Sequence, residues 1–479
     1  MTRTATLDPA PPPDGLDPEL RRIATAVVVG GIAVILDTTI VSVGLHQLGG
    51  ALGATVGTIQ WVSTAYLLAM FVTIPLSGWA QARVGSKRLW LVALGAFLLG
   101  SALCAVAWDA SSLIAFRAVQ GLGGGLMMPL MTTIIMQAAH GRNLGRLMAT
   151  VSLPAALGPI LGPVLGGVIL NWLSWQWMFL VNLPLGAVGL VLAVRMIPAD
   201  TLRRRVPLDV VGLLLVSPGT VGVIYGLTQV GELGGFGHAR VLVPLVAGLV
   251  LLAAFVGWAL LRGGTALIDV RLFRHRALSA SSALLFLTGI ALYGAMLLLP
   301  LYWQEVRGED ALGAGLLLVP QGVGALLSRT VAGRLTDAIG GRWVAVTGFA
   351  LLTLATVPFA LATETTSTVW LMAVLLVRGF GLGAVTIPLM TGAFVGLERD
   401  EVPHASIVTR VAQQLGGSFG TAVLAVVLVG AVAGAGSVHE VALGFDHAFW
   451  WATGFTALAA VLSLLLPGRA RPVVAGANR

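Results

Sequence analysis

Long apolar runs follow one another along almost the whole chain, and each is about as long as a membrane-spanning helix, roughly 20 residues. A segment that crosses a bilayer must satisfy its backbone hydrogen bonds internally, which leaves helices and closed β-barrels. Barrel strands alternate polar and apolar residues, and these runs do not. Only 10% of the 479 residues are charged, against about 25% in a soluble domain. The chain is therefore predicted to be an all-α integral membrane protein.

Fourteen predicted spans place the basic residues almost entirely on one side of the membrane. The spans cover residues 22–45, 58–79, 89–108, 111–138, 145–171, 176–196, 208–229, 241–262, 278–303, 312–333, 343–362, 367–395, 406–433 and 447–466. Of the 28 Lys and Arg residues, two fall on the opposite side and four lie deep within spans, whereas the other 22 lie at the span ends or in the segments on the side of the N-terminus. Basic residues favour the cytoplasmic side. We therefore expect a multi-pass protein of the cell (inner) membrane with both termini cytoplasmic, whose net charge of +8 needs no nucleic-acid partner.

A short turn after the second span recurs after the tenth, with two glycines and a basic residue displaced by 255 residues. Chance recurrence of glycines and basic turns is the alternative. The repeat predicts two six-helix bundles, residues 21–197 and 278–466, with two extra helices between them in 198–277. A disordered tail, 1–20, and a second tail, 467–479, would both be cytoplasmic. Repeated halves are typical of secondary transporters, whose substrate sites lie between the halves. The predicted cytoplasmic gating loops contain Gly78, Gly85, Lys87, Arg88, Gly333, Asp337, Gly340 and Arg342.

Asp37 lies deep in the first apolar run, where a carboxylate costs a few kcal/mol unless it is protonated or paired. At 1.5 Å per residue it lies about 12 Å from the outer end of its span, and Arg117 lies about 9 Å from the outer end of the fourth. Two opposite charges at similar depth predict a switchable pair, in which a proton arriving at Asp37 releases Arg117. The alternative is a static polar contact that fixes helix packing.

The fifth predicted span contains LGPILGPVLGG, in which glycines recur every four residues and therefore share one helix face. Such a face lets a neighbouring helix approach closely, and each proline removes a backbone donor and bends the helix. We expect a hinge or seal here, with ordinary small-residue packing as the alternative. The residues concerned are Gly158, Pro159, Gly162, Pro163, Gly166 and Gly167.

Polar, aromatic and methionine side chains inside spans are candidates to line a substrate cavity, although packing roles are as plausible for each of them. The candidates are Gln60, Trp61, Tyr66, Gln120, Met127, Tyr293 and Gln321, with Met128, Gln413 and Gln414 as further members. The sequence contains no GxxxxGKS or GxxxxGKT loop and no cluster of metal ligands. We therefore expect no cofactor, no metal and a proton gradient as the energy source. No nucleophile–base set is evident in the spans, so an enzyme is not expected.

Several motifs resemble those of the drug:proton antiporters of the major facilitator superfamily, in the branch with fourteen spans. They are LDTTIVSVGL in the first span, GWAQARVGSKR after the second, FRAVQGLGGG in the fourth and LGPILGPVLGG in the fifth. The resemblance implies that Asp37 and Arg117 couple transport to protons and that the stretch 158–167 seals the outer side. Ala82 stands where the family's loop usually has an acidic residue, so the second loop, which keeps Asp337, would do more of the gating.

The resulting hypothesis is a monomeric secondary transporter that exports amphipathic small molecules, such as drugs, antibiotics or dyes, in exchange for protons. Its partners would be the substrate, protons and membrane lipids. One alternative is a lipid or glycolipid transporter on the same scaffold. Another is a membrane sensor that does not transport.

Overall fold

The computed structural model describes residues 17–139, 147, 162, 165–166, 168–170, 172–199, 207–398 and 400–468. Within these ranges the regular structure is entirely helical, as the sequence predicts. Their α-helices are α1 (Pro18–Ala51), α2 (Val56–Thr73), α3 (Leu76–Val84), α4 (Ser86–Ala105), α5 (Ala110–Ala139), α6 (Trp177–Leu180), α7 (Asn182–Met196), α8 (Val210–Leu233), α9 (Ala239–Arg262), α10 (Arg276–Leu301), α11 (Ala311–Leu317), α12 (Val319–Ile339), α13 (Gly341–Thr356), α14 (Thr368–Gly392), α15 (Val402–Val432) and α16 (Val438–Leu462).

Thirteen of the fourteen predicted spans coincide with described helices long and apolar enough to cross a membrane. Twelve are single stretches, and the second span is a pair, α2 and α3, bent by 56°. The bend falls at Pro75, which lacks the N–H that a continuous helix needs. The predicted fifth span, 145–171, lies largely outside the described residues.

The last span begins earlier than predicted, at Val438 rather than at residue 447. Its first turns contain Glu440 and Asp446, which lower the local hydropathy and moved the predicted boundary. The segment is nevertheless helical, and the Ser437 hydroxyl accepts a hydrogen bond from the Glu440 N–H at its start.

Among the described residues the helices form two bundles and an additional pair, with five spans in the N-terminal bundle and six in the C-terminal bundle. In the N-terminal bundle, α1 packs on α5 and α7, and both α2 and α4 pack on α5. In the C-terminal bundle, α12 and α13 pack on α14, and α10 packs on α15. The pair α8 and α9 forms a tight hairpin, in which a Cβ on Gly248 would lie 2.6 Å from the backbone nitrogen of Val223.

Helix α8 touches both bundles. Its Tyr225 ring lies 6.1 Å from the Trp61 ring of α2, and the Ser217 hydroxyl donates to the Val72 carbonyl at 3.1 Å. On the other side, Val223 and its neighbours pack on Ala422 of α15. The extra pair therefore occupies the flank between α2 and α15.

The two turns of the sequence repeat have the same backbone conformation. Gly85, between α3 and α4, has φ 93° and ψ 158°, and Gly340, between α12 and α13, has φ 90° and ψ 158°. This region is open only to glycine. Matching torsions at matching positions support an internal repeat over chance recurrence.

The end of the molecule at which α1 begins and α3 ends is called the basic end below. Here Lys87 Nζ donates to the Val194 carbonyl at 2.7 Å, and Arg342 Nε donates to the Leu466 carbonyl at 2.6 Å. Arg88 and Asp337 are exposed, whereas Gly333 is buried.

The two bundles meet at this basic end along α15, which packs against α3 and α5. A Cβ on Gly78 would touch Ile407 and Pro403, at 3.4 and 3.5 Å. The hydroxyls of Thr133 and Ser406 are hydrogen-bonded across the boundary at 3.0 Å. The two bundles are therefore in direct contact at the basic end.

Candidate functional site

Asp37 and Arg117 form a buried ion pair inside the N-terminal bundle. Arg117 Nη1 donates to Asp37 Oδ2 at 2.6 Å, and the two side chains are 1% and 0% exposed. The other carboxylate oxygen, Oδ1, accepts from Gln120 Nε2 and from Asn182 Nδ2, each at 2.8 Å. Three donors from two other helices therefore surround one carboxylate.

A second layer orients the donors. The Ser101 hydroxyl accepts from Gln120 Nε2 at 3.2 Å and from Asn182 Nδ2 at 3.0 Å, and it donates to the Phe179 carbonyl at 2.9 Å. Gln120 Oε1 accepts from Arg117 Nη1 at 2.7 Å. All four polar side chains of this network besides Asp37 are buried. Among the described residues Asn182 Oδ1 has no partner, whereas the hydrogen bonds above fix the positions of the carboxylate and its donors.

Arg117 is also held by its neighbours on α2. Its Nε donates to the Val62 carbonyl at 3.2 Å, and its guanidinium carbon lies 4.1 Å from the centre of the Tyr66 ring. The ring face attracts the cation. The pair and its hydrogen-bonded neighbours thus link α1, α2, α4, α5 and α7. A change of charge at Asp37 would therefore alter contacts among five helices.

Sequence reasoning identified Asp37 and Arg117 but missed Ser101 and Asn182. Asn182 stands in an otherwise apolar stretch, FLVNLPLG, and an amide at membrane depth is the signal that could have identified it. Ser101 offers no comparable signal, because serine is common where helices pack closely.

The fifth span approaches α1 beside this pair. Gly162 is helical and buried, and a Cβ there would lie 2.3 Å from the Thr39 hydroxyl. Gly166 is also helical and buried. Two members of the predicted glycine face therefore lie in helix, and Gly162 is in close contact two residues from Asp37. Gly158, Pro159, Pro163 and Gly167 lie outside the described residues.

A cavity of about 170 Å³ lies between the two bundles. It is lined by α1, α5, α10, α12, α14 and α15. Most of the lining is apolar and includes four methionines, whose flexible thioethers adapt to irregular ligands. The polar side chains include Gln321, Arg329, Arg410 and Gln413. A mostly apolar cavity with a few polar groups is the usual form of a small-molecule site.

The structure separates the predicted cavity candidates. Gln321 lines this cavity, and so do Met128 and Gln413. Gln60 and Trp61 are exposed, and Met127 is buried in the bundle core. Tyr66 and Gln120 belong to the surroundings of Arg117.

Tyr293 also lies outside this lining, and its hydroxyl is hydrogen-bonded to Gln414 Oε1 at 3.1 Å. The ion pair and the cavity are thus distinct places in the molecule. They are adjacent along the chain, because Ile35 of α1 lines the cavity two residues before Asp37.

Within the described ranges, no three His, Cys, Asp or Glu side chains are grouped as metal ligands would be. The two places differ in charge: one contains a buried carboxylate paired with an arginine, and the other is a cavity lined by two arginines.

Comparisons with known proteins agree with this architecture. The profile of the Major Facilitator Superfamily matches residues 27–421. A multidrug resistance protein B homolog of Mycobacterium tuberculosis is 38% identical over 87% of this chain and 77% of its own length. A lincomycin resistance protein of Bacillus subtilis is 28% identical over 84% of each chain.

Among solved structures, a proton:xylose symporter of the same superfamily superposes with a TM-score of 0.65 at 15% identity, covering 94% of this chain and 96% of its own. That likeness concerns the fold. The profile match runs from α1 into α15, and the 38% identical relative likewise extends over most of the chain. The chain therefore belongs to the major facilitator superfamily.

Proposed function

We propose that this protein exports amphipathic small molecules in exchange for protons, with Asp37 as the proton acceptor. The observation that carries the proposal is the buried ion pair between Asp37 and Arg117. Intramembrane ionisable groups are rare, and they mark ion and proton pathways in transporters. The relatives named for multidrug and lincomycin resistance support export of drug-like molecules.

In this mechanism, protonation of Asp37 removes the negative charge that holds Arg117. The guanidinium then keeps only its neutral partners, the Val62 carbonyl and Gln120 Oε1, and the Tyr66 ring. The donors Gln120 and Asn182 lose a charged acceptor at the same moment. Hydrogen bonds to a charged group are about twice as strong as neutral ones, so the network loosens as a unit.

Helices α1 and α5 carry this change to the cargo. Both contribute to the ion pair, and both also line the central cavity, α1 through Ile35 and α5 through residues 128–132. The proton site and the cargo site are therefore coupled by helix movement rather than by direct competition for one group.

The basic end faces the cytoplasm in this proposal, with both termini on that side of the cell membrane. The Thr133–Ser406 hydrogen bond and the contacts of Gly78 then close the cytoplasmic side. Opening inward requires α15 to move away from α3 and α5. The two bundles can do so within one chain, so a monomer suffices.

The test is Asp37→Asn in proteoliposomes that carry an imposed pH gradient. Asparagine keeps the size and one acceptor oxygen but cannot be protonated or carry charge in this range. We expect gradient-driven efflux of a dye cargo to fall at least about tenfold, in line with a general role in proton transfer. Gradient-dependent efflux at the wild-type rate by a folded variant would refute the assignment.

Asp109→Asn is the matched control. Asp109 lies between α4 and α5 and its pKa is lowered, because the backbone and side chain of Ser112 are hydrogen-bonded to it. A lowered pKa keeps that carboxylate ionised throughout the neutral range, so it cannot serve as a proton carrier there. The control makes the same chemical change outside the buried pair, and we expect efflux to be unchanged.

Drug export is favoured over the alternative of lipid transport by the relatives' names, and nothing in the described residues favours the lipid alternative. A sensor that does not transport would show no proton movement when substrate is added, which the same vesicles measure directly.

A further inference from the structure

The central cavity contains positive charge and, within its described lining, no negative charge. Arg329 of α12 and Arg410 of α15 both line it, and no Asp or Glu does so. The segment 140–171, most of which is not described, contains no acidic residue in its sequence either. The cavity is therefore cationic irrespective of the fifth span.

Arg329 is the most exceptional of these residues. It is 7% exposed, and its Nε and Nη1 atoms are buried with no hydrogen-bond partner among the described residues. It lies on α12 ten residues before that helix ends at Ile339, about 15 Å from this end. Buried guanidinium groups are normally paired with an anion. Arg329 therefore presents unsatisfied donors to the cavity.

A third arginine lies behind the lining residue Gln321 and has no counterion among the described residues. Arg378 of α14 donates to Thr356 Oγ1 at 3.3 Å, to Gln321 Oε1 at 2.8 Å and to the Ala291 carbonyl at 3.1 Å, all neutral acceptors. Gln321 lines the cavity, and because its oxygen is engaged, its amide nitrogen is what it can offer to a ligand. Gln321, two turns before Arg329 on α12, thus also favours an acceptor-rich ligand.

We propose that the cavity binds the anionic group of an amphipathic organic acid, with Arg329 as its principal ligand and Arg410 as a second cation. This substrate class rests on the proposed export function and narrows it. A carboxylate, sulfonate or phosphate monoester would supply the acceptors that Arg329 lacks, and the bidentate geometry of a guanidinium suits each of them.

The remainder of the cavity suits the apolar part of such a molecule. On α10 the lining runs from Thr288 to Leu299, eleven residues or about 16 Å along the helix axis. Apart from Thr288, its members are apolar, and Met296 adds an adaptable surface. An organic cation would meet Arg329 and Arg410 with no opposing carboxylate and is excluded by repulsion.

The experiment compares three probes with the same fluorophore and different charge. They are dansylglycine (an anion), its uncharged carboxamide, and dansyl-ethylenediamine (a cation), each titrated against the purified full chain in nanodiscs of phosphatidylcholine. We expect the anion to bind at least about tenfold more tightly than the carboxamide, as a charge-assisted pair implies, and the cation to bind most weakly. Equal affinities, or a preference for the cation, would overturn the proposal.

Arg329→Gln should remove most of this preference, bringing the affinities for anion and carboxamide to within about threefold while leaving the affinity for the carboxamide unchanged. Arg329→Lys keeps the charge and should retain a preference for the anion. Arg240→Gln removes an exposed arginine at the end of the molecule opposite the basic end, and it should leave the affinities for all three probes unchanged. Retention of the full preference in a folded Arg329→Gln variant would overturn the assignment.

If Arg329→Gln fails to fold, the three probes on the wild-type protein still test whether the cavity prefers an anion. Arg410→Gln then provides a second variant at a half-buried position. An added arm replaces part of the phosphatidylcholine with phosphatidylglycerol. Displacement of dansylglycine by that lipid would assign the site to a lipid headgroup and overturn a soluble cargo. Equilibrium binding needs no gradient, so failure of anion selectivity and failure of proton coupling at Asp37 are separate outcomes.

Discussion

The two bundles each bury an arginine on a corresponding helix, but the two arginines have different partners. Arg117 on α5 has a carboxylate, Asp37, at 2.6 Å. Arg378 on α14 has an amide oxygen, a hydroxyl and a backbone carbonyl. Both precede a Pro-Leu-Met sequence on their helices, so they belong to the same part of the repeat. Only the N-terminal site pairs its arginine with a carboxylate, whereas the arginine of the C-terminal site has neutral acceptors.

This difference suggests a division of roles between the bundles. The N-terminal bundle contains an oppositely charged pair away from the central cavity. In the C-terminal bundle three arginines in or next to the cavity have no carboxylate partner among the described residues: Arg329, Arg378 and Arg410. Under the two proposals above, the N-terminal half would respond to protons and the C-terminal half would select the cargo.

The largest expected effect tests the comparison directly. Arg117→Gln leaves the Asp37 carboxylate buried without its cation and should destabilise the protein by about 3–5 kcal/mol. Arg378→Gln removes a cation that has no carboxylate, so the hydrogen bonds it loses are offset by relief of a buried charge. We expect a loss below about 1.5 kcal/mol. Unfolding in mixed micelles titrated with sodium dodecyl sulfate measures both, and equal losses would contradict the contrast.

A smaller effect sharpens the assignment of the first pair. In Asp37→Asn with Arg117→Gln, neither charge remains to be compensated, so the double variant should be more stable than Arg117→Gln alone by about 2 kcal/mol. The same micelle titration completes the cycle. Additive losses would mean that the two side chains contribute independently, against the 2.6 Å contact between them.

The smallest effect tests where the bundles remain alike. Gly85→Ala and Gly340→Ala each force a side chain into a glycine-only region and should each cost about 1–3 kcal/mol. Because the torsions of the two glycines agree, the two losses should agree closely. Gly95→Ala and Gly454→Ala are controls within helices where a Cβ meets open space, and they should not destabilise. Unequal losses at Gly85 and Gly340 would show that the two turns have diverged in role.

Much of the fold was predictable from hydropathy and length, because a span in lipid must be helical and about 20 residues long. Thirteen of the predicted spans coincide with described helices or a bent helix pair. The largest error in a boundary is at the start of the last span. It has a physical cause, since Glu440 and Asp446 lower the hydropathy there without breaking the helix.

The ion pair was predictable for a different reason. Asp37 and Arg117 are ionisable, so their depths along two helices suffice to suggest that they meet. Gln120 was expected in the cavity and lies in the ion-pair network instead, because depth does not reveal which side of a helix an amide occupies. Arg329 was noted within a span but given no role, since its lack of a partner is a property of packing alone.

The position of α8 makes the two lipid-facing seams of the transporter unequal. A symmetric pair of bundles offers two equivalent lateral portals from the bilayer to its centre. Here one seam is occupied, because α8 lies against α2 through Ser217 and against α15 through Val223. In the proposed transport cycle α8 would slide against both bundles and keep that seam closed. A cargo dissolved in the membrane would then have at most one lateral approach, on the side away from the additional hairpin.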